Sequence, residues 1–80
     1  MGKYTIEKYN DEIFSKIKKF IKLYNGKTVE KFKDPITLQQ YYKVEFDGES
    51  ITIDFDEMIG IEFSGSDKYI ALLQDYLESN

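Results

Sequence analysis

The chain has 80 residues, 41% hydrophobic and 32% charged, with a formal net charge of −4; this fits one small domain over residues 1–80 and leaves no room in them for a second. It contains no Cys, His, Trp or Arg, all 11 basic residues being lysines, which excludes disulfides, thiolate chemistry, cysteine or histidine zinc sites, His-based triads and arginine clamps. Only Asp, Glu, Lys, Tyr, Ser and Thr are left for catalysis and none forms a nucleophile signature, so the expectation is a non-enzymatic protein with no cofactor and no metal.

The opening MGKYTIEKYNDEIF lacks the apolar run of a signal peptide, and no stretch reaches the ~18 apolar residues of a membrane span. Ile6 stands where an N-myristoylation motif wants Ser or Thr. A cytoplasmic protein that avoids membranes is expected. The preference for Lys over Arg, with many Ile, Tyr and Phe, is the composition of an AT-rich coding sequence and suggests a low-GC bacterium or its phage.

Residues 1–9 are short and polar, and read as an arm or an edge strand. From Asn10 the apolar residues Ile13, Phe14, Ile17, Phe20, Ile21 and Tyr24 recur at helical spacing. Asn10 is a suitable N-cap, Asp11 and Glu12 favour the positive end of the helix dipole, and Gly26 suits the left-handed position past the helix end. Thr28 to Lys33 alternates as a strand until Asp34-Pro35 stops it. In Leu38 to Phe46, Leu38, Gln40, Tyr42, Val44 and Phe46 alternate with Gln39, Tyr41, Lys43 and Glu45, the period of a half-buried strand. Asp47-Gly48 signals a hairpin turn into Ile51, Ile53 and Phe55. After Asp56-Glu57-Met58 come Ile59, Ile61 and Phe63, with Glu62 on the other side. Ser66 or Asp67 then caps a second helix that carries Tyr69, Ile70, Leu73, Tyr76 and Leu77.

This order predicts an α+β fold: a three- or four-stranded antiparallel β-meander with an N-terminal and a C-terminal helix packed on one face, α-β-β-β-β-α. The other sheet face is left for water or a partner. In topology alone the order resembles the double-stranded RNA-binding domain. Ser66-Asp67-Lys68-Tyr69 stands where that family has a Lys-rich helix start. The His of the family's central loop has no counterpart either, and no binding residue is carried over.

Charge divides the chain. Residues 1–33 hold nine lysines against four acids, a balance of +5, whereas residues 34–80 hold two lysines against eleven acids, a balance of −9. Such asymmetry can mark a charged face presented to a partner, or two halves that attract one another. In the acidic half, Asp54, Glu57 and Glu62 fall in one hairpin, and Asp54 and Glu62 on adjacent strands would share the open face. Their spacing matches no EF-hand loop, and charged strand edges commonly deter pairing. Most aromatic residues fall on core positions, but Tyr41 lies on the polar side of its strand beside Lys43. Such a Tyr can anchor an interface, or lie beneath the arm at 3–9.

The expected partner is therefore a basic protein bound through Tyr41, Lys43, Asp54, Glu57 and Glu62. The alternative is a nucleic-acid accessory role for Lys16, Lys19 and Lys22 on the first helix. The plainer reading of those lysines is a solvated helix face on which Glu12 pairs with Lys16. Net acidity opposes nucleic-acid binding, and a homodimer through the open sheet face or an edge is compatible with either reading.

Overall fold

The computed structural model describes residues 2–7, 11–36, 39–56 and 60–79. Along the chain these form β1 (Gly2–Ile6), α1 (Asp11–Leu23), β2 (Lys27–Lys33), β3 (Gln40–Phe46), β4 (Glu49–Asp56), β5 (Gly60–Gly65) and α2 (Asp67–Ser79). The α+β class is as expected, and the four strands after α1 form the meander. The N-terminal segment is the edge-strand alternative, and it makes the sheet five-stranded, in the order β1-β5-β4-β3-β2 with every pair antiparallel. The expected N-cap Asn10, together with Leu38, Glu57 and Ile59, lies outside the described residues.

Strand parity sets which side chains make the core. Val44, Phe46, Ile51, Ile53, Phe55, Ile61 and Phe63 point to one sheet face, and all are buried. Both helices close this face: Ile17 and Phe20 from α1, and Tyr69, Ile70 and Leu73 from α2, are buried in the same cluster. Phe46 stacks on Tyr69 with ring centroids 4.7 Å apart, and Phe20 meets the edge of Phe46 at 5.8 Å, so aromatic contacts tie both helices to β3. The two helices cover the sheet unequally. α2 lies over β1, β5 and β4 and against α1, whereas β2 is exposed along its whole length.

The helix ends are satisfied by local chemistry. The Gly26 N–H donates to the Ile21 carbonyl at 2.7 Å and the Asn25 N–H to the Lys22 carbonyl at 3.2 Å, the two bonds of a Schellman motif. The left-handed residue in it is Asn25, with φ 56°, and not Gly26 as the sequence suggested. Glycine is required at 26 for space: a Cβ there would stand 2.6 Å from the Phe46 ring and 2.9 Å from Val44. At α2, Ser66 is the cap, its Oγ accepting from the Tyr69 N–H at 3.4 Å and donating to Glu49 at 2.6 Å. Asp47 and Gly48 both have positive φ, 48° and 85°, as a two-residue hairpin turn demands.

Strand β2 departs from simple alternation. Thr28 pairs with Val44, but Glu30 pairs with Lys43, so one extra residue, Val29, is inserted as a β-bulge. Uninterrupted pairing from the Thr28 end would put Glu30 opposite Tyr42 and Lys31 opposite Tyr41. The bulge reverses both: Lys31 faces the helix side opposite Tyr42, and Phe32 faces the open side opposite Tyr41.

Candidate functional site

On the open face the register aligns one row across all five strands. Phe32 on β2 is opposite Tyr41 on β3, Tyr41 opposite Asp54 on β4, Asp54 opposite Glu62 on β5, and Glu62 opposite Thr5 on β1. The row thus places Tyr41, Asp54 and Glu62 on one face. Lys43 shares the face in the next row, where it pairs with Glu30 and Thr52. Glu57, the remaining candidate, lies outside the described residues.

Tyr41 is half-buried, and β1 is not its cover, since β1 pairs β5 at the opposite end of the sheet. Phe32 is the covering side chain, its ring stacked on Tyr41 with centroids 5.5 Å apart and an interplanar angle of 29°. Phe32 itself remains 51% exposed. This pair forms an apolar platform at the β2 end of the row, on an otherwise polar sheet face.

The other end of the row is acidic. Asp54 is half-buried, and burial is the main cause that pushes its carboxyl above the ordinary range, with the neighbouring Glu62 charge adding to the rise. Glu62 is partly neutralised by Lys3, whose Nζ is 3.5 Å from Oε1, but both side chains are well exposed and the pair is screened. Beside Asp54 and Glu62, a shallow depression of about 110 Å³ is edged by Gln39, Asp56 and Gly60. Asp56 extends the negative strip along β4. Among the described residues no group of three or more Asp or Glu is placed to hold a metal ion.

The alternative lysines lie elsewhere. Lys16 reaches Glu12 at 3.6 Å one turn away, as helical spacing suggests, while Lys19 and Lys22 are exposed on α1. Because α1 packs on the other sheet face, these lysines do not join the row built on Tyr41 and Asp54. Phe32 is the site member that sequence reasoning missed. The signal was present in an aromatic residue within a lysine-rich strand, but its face depends on the bulge at Val29.

No described helix is long and apolar enough to cross a membrane. No protein-family model matches the chain, and neither a curated protein nor a solved structure matches it.

Proposed function

We propose that this is a protein-interaction module without catalytic activity, and that its open sheet face receives a lysine or arginine side chain of a basic protein partner. The observation that carries the reading is the continuous row from the Phe32–Tyr41 stack to the Asp54–Glu62 pair. A long basic side chain has an apolar stem and a cationic head. The stem matches the aromatic platform, and the head matches carboxylates whose mutual repulsion it would relieve. Lys43 and Glu30 in the adjacent row supply a polar rim, the common surround of a small interface centre.

The test is retention from lysate at moderate salt by the tagged wild-type chain and by a D54K/E62K variant, followed by affinity measurement on the purified partner across a salt series. The expected result is a basic protein held stoichiometrically by the wild type, with binding weakened and its salt dependence flattened by charge reversal. Equal affinity of the two chains at every salt concentration overturns the reading. Co-eluting nucleic acid that disappears with salt would instead move the site to Lys16, Lys19 and Lys22.

A further inference from the structure

Two helices do not roof five strands. Where β2 extends past α1 on the helix side, a groove of about 340 Å³ opens, with Tyr42 and Phe55 in its floor and Phe14, Ile17 and Ile21 along its helical wall. Ligand pockets run from about 300 to 1,000 Å³, so this one is at the small end. A site of this size suits an alkyl chain or a single ring and is too small for a helix or a strand.

The rim is cationic. Lys18 on α1 and Lys31 on β2 line the groove, and no Asp or Glu is among the described residues that line it. Neither lysine has a carboxylate partner among the described residues. Each ammonium rests on an aromatic ring of the groove instead: Lys18 Nζ is 4.7 Å from the Phe14 centroid and Lys31 Nζ 5.6 Å from that of Tyr42. Both side chains are exposed, so a modest rotation would carry either ammonium from its ring to an anion at the mouth. The bulge at Val29 sets this sign, since pairing continued from the Thr28 end would put Glu30 opposite Tyr42 in place of Lys31.

We infer that the groove binds a small amphiphilic carboxylate, with an apolar chain against Phe14, Ile21 and Tyr42 and an anionic head held between Lys18 and Lys31. A medium-chain fatty acid has this chemistry. The site is on the opposite side of the sheet from the acidic row and does not rest on the partner proposed there.

The experiment titrates the full chain with sodium decanoate below its micelle concentration, with decanol and decyltrimethylammonium as controls of equal chain length, and follows the methyl resonances of Ile17 and Ile21. Decanoate should bind tightest and shift those methyls, and the ammonium amphiphile should bind weakest. K18Q and K31Q should each weaken decanoate by roughly two- to fivefold, the range of an exposed ion pair. K43Q on the open face should leave its affinity unchanged, as should D54K/E62K, so a failure of the partner reading would not touch this result. The inference is overturned if decanoate binds no better than the ammonium amphiphile, if K18Q/K31Q binds it like the wild type, or if the shifts lie away from the groove. The ammonium comparison uses only the wild type, so the test does not depend on any variant folding.

Discussion

Asp54 lies directly opposite Glu62 across the β4–β5 ladder, so two carboxylates occupy neighbouring positions on one sheet face. Like charges in that relation are destabilising, on the scale of roughly 0.2–1 kcal/mol that cross-strand pairs carry, and burial of the Asp54 carboxyl adds to the cost. A raised carboxyl pKa means that the folded chain holds its proton more tightly than the unfolded chain does. This contribution to stability is therefore intact below the ordinary Asp pKa and declines as pH rises from there through the higher folded-state value. D54N should raise stability at pH 7 by about 0.5 kcal/mol, and the gain should vanish near pH 3. Urea unfolding at both pH values measures it. A D54N chain less stable than the wild type at pH 7 would mean that the carboxylate makes a favourable contact. On the proposed function the same variant should bind the basic partner less well, so that stability and binding change in opposite directions.

The α1 terminus separates two uses of small or flexible residues at adjacent positions. Asn25 carries the left-handed conformation and Gly26 the close approach to Phe46 and Val44. G26A should destabilise by about 1–3 kcal/mol, because the added methyl must displace packed core side chains. N25G should be neutral or slightly stabilising, since glycine adopts positive φ without a Cβ penalty. Thermal or urea denaturation of the two variants distinguishes these roles. Similar losses from both would show that the termination is a single strained unit.

Ser66 joins α2 to the β3–β4 hairpin by capping Tyr69 and bonding to Glu49. S66A removes both contacts and should lose about 1 kcal/mol, within the range for N-cap truncation. E49Q keeps the cap and retains an acceptor oxygen for the Ser66 hydroxyl, so most of the stability should survive. If E49Q loses as much as S66A in denaturant midpoint, the Glu49 charge is the dominant contact.

The sequence exposes what is decided locally. Helical spacing from Ile13 to Tyr24, the Asp47-Gly48 turn and the alternation of Ile51, Ile53 and Phe55 each depend on neighbours within a few positions, and each matches the structure. That Asp54 and Glu62 share the open face was legible for the same reason, because parity through one hairpin places both on one side. β1 was legible only as one of two alternatives, an arm or an edge strand. Its five residues become a strand through distant contacts, Tyr4 stacking on Phe63 at 5.7 Å and Lys3 pairing with Glu62. The bulge at Val29 was hidden too. All of β2 is exposed, so no hydrophobic alternation marks the residue at which its register slips. Both the Phe32 platform and the inward Lys31 follow from that slip, which is why the aromatic half of the row and the lysine-rimmed groove emerge only in three dimensions.

Phe32 offers the sharpest separation between a residue that holds the fold and one that meets a partner. It is at the sheet edge, 51% exposed, and its ring stacks on Tyr41. Lys27, Lys31 and Lys33 on the same strand, together with the bulge, protect this edge from pairing with another strand. Keeping a large exposed aromatic there runs against that protection unless the ring has a use. F32A should lower folding stability by no more than about 1 kcal/mol, because little buried area is lost and the stacked pair contributes roughly 0.5–1.5 kcal/mol even when well packed. Its effect on binding should be larger, at about 2 kcal/mol or more, if the ring supports the stem of a basic side chain at the centre of the interface. The F32A/D54N double variant should then lose less than the sum of the two single losses, since both residues hold one side chain. Additive losses in that cycle would place Phe32 and Asp54 in separate contacts and break the row into two unrelated features.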